Sequence, residues 1–167
     1  MILLSLLAAA FFIAVDQVIK YLVVLYVPYQ PYTDTTLSVI PGVMGIFHTH
    51  NTGAAWSILG NYTWLLAVFS AVASLVVLYI IIRRKVTHPL GKWSLILILA
   101  GAVGNLIDRI RLGYVIDMFR FLFVSFPVFN FADICITVGG ILLCIYILFL
   151  YGKDKKGLDD GNHLSRT

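Results

Sequence analysis

Four apolar stretches constrain this chain more than any other feature, because each is long enough to cross a lipid bilayer. A spanning helix needs about 20 such residues at 1.5 Å of rise each. The stretches cover about 1–27, 62–82, 93–110 and 134–151. In hydrocarbon every backbone N–H and C=O must find an internal partner, so such stretches read as helices. Only 12% of the residues are charged and 60% are hydrophobic, against a charged share of ~25% in soluble domains. The expected fold class is therefore an all-α integral membrane protein of four transmembrane helices. Between the spans, 28–61 and 111–133 should form a small extracytoplasmic cap containing β-structure. TLSVI and GIFHTH alternate apolar and polar side chains, and RFLFVSF is a further strand candidate. Residues 1–156 form one membrane domain without internal repeats, and the polar tail 157–167 is expected to be disordered.

Lys and Arg set the orientation. Arg83, Arg84, Lys85 and Lys92 lie between the second and third spans, and Lys153, Lys155, Lys156 and Arg166 follow the fourth. The segment from Pro28 to Asn61 has neither residue. By the positive-inside rule both termini are cytoplasmic and the cap is external. Trp64 and Trp93 fall at span ends, where interfacial aromatics belong. The net charge of +4 thus reads as membrane topology rather than nucleic-acid binding. The first stretch has no basic leader and resumes after Asp16, so it is expected to remain as a span. Cys135 and Cys144 are roughly 13 Å apart along one helix, too far to pair, and both read as packing residues.

All eight acidic residues are aspartates. Intramembrane charges cost about 2.5–3.5 kcal/mol at a helix centre, so their depth is informative. Counting from the cytoplasmic ends, Asp16 and Asp108 each lie roughly 22 Å up their helices, and Asp133 roughly 27 Å up its own. Charges from three spans thus share the outer third of the membrane. Asp16 and Lys20 are i, i+4 neighbours; Asn105, Asp108 and Arg109 share a second stripe. Asn130 and Asp133 share a third if their helix starts early enough. Gly113 is a natural stop for the third helix. Beyond it Tyr114, Val115 and Ile116 should run extended, presenting Asp117 above the bundle, where it can meet Asp133. Ala100, Gly101 and Gly104 allow close helix approach.

Two carboxylates can share one proton, the ionised member activating water and the protonated one polarising a carbonyl. Spacing alone leaves open whether these aspartates are catalytic or simply pair with Arg109, Arg111, Arg120 or Lys20. His48 and His50 point the same way on a strand, but no cysteine or glutamate joins them, so hydrogen bonding in the loop is favoured over metal. Ser57 and Ser125 lack a serine-hydrolase motif, GAVGN is not a phosphate loop, and NTGA has Asn51 where a soluble aspartic protease would have aspartate.

Five blocks, in order, resemble the lipoprotein signal peptidase (signal peptidase II) family of bacterial membrane aspartic peptidases: DQVIK at 16–20, NTGAAW at 51–56, GAVGNLIDR at 101–109, VIDMF at 115–119 and FNFADI at 129–134. The resemblance covers the chain to about Lys156. It implies a catalytic dyad of Asp117 and Asp133. Supporting or substrate-binding positions are Asn51, Gly53, Asn105, Asp108, Arg109, Asn130, Asp16 and Lys20. Among these, Asn51 and Arg109 would hold the substrate backbone, while Asp16 and Lys20 are mainly structural. The implied reaction is removal of the signal peptide from diacylglyceryl-modified prolipoproteins, cut just before the lipidated cysteine. The implied site faces the outer side of the bacterial inner membrane. No metal and no cofactor is implied; the partners are prolipoprotein substrates, bilayer lipids and globomycin-type inhibitors, and a monomer is expected. Met118 stands where the family more often has Phe, and Ile134 where it often has Ser. The alternatives are a small membrane transporter or ion-binding protein, and a non-catalytic assembly subunit. The first would favour a midplane site and internal repeats, neither of which is visible.

Overall fold

The computed structural model describes residues 2–29, 36–53 and 62–152. The tail expected to be disordered lies outside the described residues, as do 54–61 with Ser57 and the end of the NTGAAW block. Four helices, α1 (Ile2–Tyr26), α2 (Thr63–Ile82), α3 (Pro89–Leu112) and α4 (Phe131–Phe149), are long and apolar enough to cross a membrane. Three strands, β1 (Leu37–Ile40), β2 (Met44–Asn51) and β3 (Val115–Phe121), form one antiparallel sheet in the order β1-β2-β3. The protein is a four-helix membrane bundle with a small sheet at one end.

Helix boundaries follow local chemistry. Pro89 opens α3 at a position where its missing N–H costs nothing, and the His88 side chain accepts from the Leu90 N–H at 3.2 Å. Gly113 closes α3 with φ 79, and its N–H donates to the Arg109 carbonyl at 3.1 Å. Asn130 caps α4 through a reciprocal box: its side chain accepts from the Asp133 N–H, and the Asp133 carboxylate accepts from the Asn130 N–H. Both spans are longer than sequence indicated, α3 beginning at 89 rather than 93 and α4 at 131 rather than 134. Proline and a phenylalanine-flanked cap obscured these starts in a pure hydropathy count.

α3 is the central helix. Fifty-six per cent of its most apolar window is buried, against 11% for α1 and for α2 and 22% for α4. Lipid tails are as apolar as leucine, so helices associate here by close packing and polar contacts rather than by escape from water. Small residues let α4 press on α3. A Cβ built on Gly139 would lie 2.8 Å from Ile98 Cγ1 and 2.9 Å from the Ser94 carbonyl. One built on Gly101 would strike the Ala132 carbonyl and the Ile136 side chain. Outward-facing Leu3, Leu4, Phe11, Val68, Phe69, Leu75 and Leu148 are exposed, as a lipid-facing surface requires. Trp64 lies exposed in the first turn of α2 and Trp93 exposed one turn into α3.

The cap differs from expectation in its third strand. The strand is 115–121, with Asp117 inside it, not 120–126; the chain beyond Phe121 instead curls back, and Phe129 bridges to Phe119. Aromatic rings of Phe121, Phe126 and Phe129 pack together there. The Tyr29 and Tyr114 rings stack on the His50 ring from 3.8 Å each. His48 Nδ1 donates to the Val27 carbonyl at 2.9 Å, tying the sheet to the end of α1. Of the cysteines, Cys135 is buried as expected, but Cys144 is exposed; both are free.

Candidate active site

The charged residues from α1, α3, β3 and α4 converge at the sheet-bearing end of the bundle. Their foundation is Lys20. Its ammonium lies 2.9 Å from Asp16, 2.8 Å from Asp108 and 3.1 Å from Asn105 Oδ1, so all three of its protons are used. A buried pair of this kind is tolerable only if the remaining lone pairs are satisfied. They are: Asp16 accepts from the Ala132 N–H, Asp108 from the Ile116 N–H, and the Gln17 amide donates to both carboxylates. Gly104 makes this possible, since a Cβ there would stand 2.7 Å from Asp16 Oδ2. Gln17 is a polar member that the helical stripes missed. It follows Asp16 directly, and i, i+1 neighbours on a helix do not ordinarily face one partner.

Two asparagines carry this foundation upward. Asn105 Oδ1 accepts from Lys20 and from Asn130 Nδ2, while its own amide donates to Asp133 Oδ1 at 2.8 Å. Asn130 Nδ2 also donates to Asp117 Oδ1 at 2.6 Å. Only this amide orientation works, because reversing Asn105 would set its oxygen against a carboxylate and its amide against an ammonium. Asn51 donates to the other Asp117 oxygen at 2.8 Å. Register explains that reach: Asn51 pairs with Val115, which puts it diagonal to Asp117 on one face of the sheet.

Asp117 and Asp133 are thus fixed on the same asparagine cradle. Asp117 lies within β3 of the cap sheet and is buried, at 1% exposure. Burial, and next the Asp133 charge, push its carboxyl up to about 7, against the opposing pull of the Asn51 and Asn130 amides and Lys20. Asp133 is half-buried and lines the adjoining cavity.

That cavity has a volume of about 560 Å³. Its polar end holds Asn51, Asn105, Arg109, Asp117 and Asp133. Its walls are mostly apolar: Leu66 and Phe69 from α2, Ile134, Ile136 and Val138 from α4, and Phe126 to Phe129 from the connection between β3 and α4, with Ser70 and Thr137 among them. Arg109 donates to the Gly53 carbonyl at 3.3 Å, and Gly53 N–H donates to Asn51 Oδ1. The Arg109 Nε is buried and has no hydrogen-bond partner among the described residues. Every residue named as supporting from sequence therefore joins one contiguous network, Gly53 through its backbone alone. His48 and His50 stand apart from it, in the cap.

The two departures from the family pattern have distinct surroundings. Met118 is fully buried against Val23, Val27 and Ile116. Ile134 lies on the cavity wall, while Asp133 keeps two amide donors without help from that position.

The family model described as signal peptidase (SPase) II matches residues 8–149. The lipoprotein signal peptidase of Lactiplantibacillus plantarum is 41% identical over 140 residues, covering 81% of this chain and 88% of its own. That of Enterococcus faecalis is 37% identical over 157 residues, covering 94% and 92%. A bacterial membrane enzyme solved by the in meso method at 2.3 Å superposes with a TM-score of 0.77 at 31% identity, covering 86% of this chain and 87% of that one. With its four spans, its order of motifs and these relatives, the chain belongs to the signal peptidase II family.

Proposed function

We propose that this protein is an intramembrane aspartic endopeptidase that removes signal peptides from diacylglyceryl-modified prolipoproteins, cutting just before the lipidated cysteine. The observation that carries the reading is the joint placement of Asp117 and Asp133 on one asparagine cradle at the polar end of an apolar cavity. Family membership supports signal-peptide removal in a bacterial multi-pass membrane protein. The dyad supplies a chemical route.

With one proton on the pair at neutral pH, Asp117 holds it, since burial opposes its charge. Asp133, more open to the cavity, takes a proton from a water molecule whose oxygen attacks the scissile carbonyl carbon. Asp117 gives its proton to the carbonyl oxygen, forming a neutral gem-diol. Asp133 then protonates the leaving nitrogen, the C–N bond breaks, and Asp117 recovers a proton from the diol as it becomes a carboxyl group. Arg109 and Asn51, which line the cavity's polar end, hold the peptide backbone. The apolar walls of α2 and α4 accept the acyl chains. Lys20, Asp16 and Asp108 touch no substrate; they fix Asn105 and so the dyad. By the positive-inside rule the cleavage takes place at the outer face.

Purified protein incubated with a diacylglyceryl prolipoprotein should release a signal peptide of the mass ending just before the modified cysteine, and globomycin should suppress it. Asp117→Asn and Asp133→Asn should each lower the rate by at least about 10²–10⁴-fold, the scale of acid–base catalysis, with helical circular dichroism unchanged. Normal turnover by either variant removes that residue from the dyad.

A further inference from the structure

A second cavity, of about 390 Å³, lies at the opposite end of the bundle from the aspartates. Ile2 and Ser5 from the start of α1, Ile80 and Ile81 from the end of α2, and Lys92 and Leu95 from the start of α3 line it, with Arg84, Val86 and Thr87 from the connecting loop. Its floor is apolar. Its rim carries two cations and no acidic residue, and neither Arg84 nor Lys92 forms an ion pair among the described residues.

The backbone at Arg84 is the second observation. α2 ends in a Schellman motif: the Arg84 N–H donates to the Ile81 carbonyl at 3.1 Å and the Lys85 N–H to the Ile80 carbonyl at 3.2 Å. The motif needs a left-handed residue, and Arg84 supplies it at φ 50, the only non-glycine residue with positive φ among those described. Glycine would meet that need without strain. A strained cation on a cavity rim therefore points to a use for the side chain.

We propose that this cavity binds the headgroup of an anionic phospholipid, with the phosphate between Arg84 and Lys92 and the upper acyl segments on Ile2, Ile80 and Ile81. Position and chemistry select this occupant. Helix ends of a four-span bundle meet the membrane at headgroup depth, where basic pockets between helices take anionic headgroups. The apolar floor continues onto the lipid-facing sides of α1 and α2, which touch each other only sparsely. A soluble phosphate would use the cations but not the floor.

The test is thermal unfolding of the full chain in a neutral detergent with dioleoyl phosphatidylglycerol, dioleoyl phosphatidylcholine or inorganic phosphate added. Phosphatidylglycerol should raise the midpoint, phosphatidylcholine should do so less, and phosphate alone should not. Arg84→Gln with Lys92→Gln should weaken the apparent phosphatidylglycerol affinity about thirtyfold, from roughly one surface-cation increment for each base. Lys85→Gln, whose residue lies outside the cavity lining, should leave it within a few-fold. Arg84→Gly separates the roles: it should raise the lipid-free midpoint by relieving strain, yet lose most of the lipid-induced shift. An undiminished shift in the double variant or in Arg84→Gly, or a shift produced by phosphate alone, would overturn the proposal.

Discussion

At the scale of single residues, the buried carboxyl of Asp117 makes a pH-dependent demand on the fold. Its ordinary value is 3.8, and burial with the Asp133 charge brings it to about 7 in the folded protein. A raised acid binds its proton more tightly folded than unfolded. Its stabilising contribution is therefore full below about 3.8 and is lost as pH climbs toward about 7. Between pH 5 and pH 8 the wild-type protein should thus lose stability relative to Asp117→Asn, by no more than about 1.4 kcal/mol per tenfold fall in proton concentration. Parallel pH profiles of the two unfolding midpoints would contradict this. On the proposed mechanism cleavage should decline above about pH 7 for the same reason, because Asp117 would no longer hold the proton it gives to the carbonyl oxygen. The residues themselves were legible in the sequence: charge is so costly in a bilayer that Asp16, Lys20, Asp108 and Arg109 stood out on hydropathy alone. What sequence could not supply was the wiring. Helical stripes place Asn105 near Asp108, yet nothing in that spacing says that Asn105 joins Lys20 to Asp133, or that Gln17 serves both structural carboxylates.

At the scale of elements, glycines decide how closely α4 lies on α3. Gly139 and Gly101 have no room for a methyl group, whereas a Cβ on Gly140 meets nothing within 4 Å. Gly139→Ala should therefore cost about 1–3 kcal/mol, the usual scale for overpacking, and Gly101→Ala should also disturb the α4 turn that bears Asp133. Gly140→Ala should be close to neutral. Chemical unfolding in detergent compares the three directly, and equal stability across the set would show that the helices can part without penalty. All four spans could be seen in the sequence because lipid demands long apolar runs. The strands could be seen less well. RFLFVSF reads as a strand candidate, but only Arg120 and Phe121 lie in β3, and the rings of Phe121 and Phe126 pack with Phe129. VIDMF hid its strand character because four consecutive residues from Val115 to Met118 are buried on both faces, which erases the period-two signal.

At the scale of the whole molecule, α3 holds the other three helices while α2 and α4 flank the cavity beside Asp117 and Asp133 on its two sides. Phe69 on α2 and Val138 on α4 line that cavity and also face outward, at 72% and 42% exposure. The cavity therefore has a side entrance toward the membrane. A prolipoprotein carrying the proposed diacylglyceryl anchor would reach such an entrance by moving within the leaflet, so encounter would be a search in two dimensions. The concentration that governs turnover is then the number of substrate molecules for each lipid, not for each litre. Diluting a proteoliposome preparation with extra phospholipid, at fixed bulk amounts of enzyme and substrate, should slow cleavage in proportion to the added surface, whereas adding buffer should leave it unchanged.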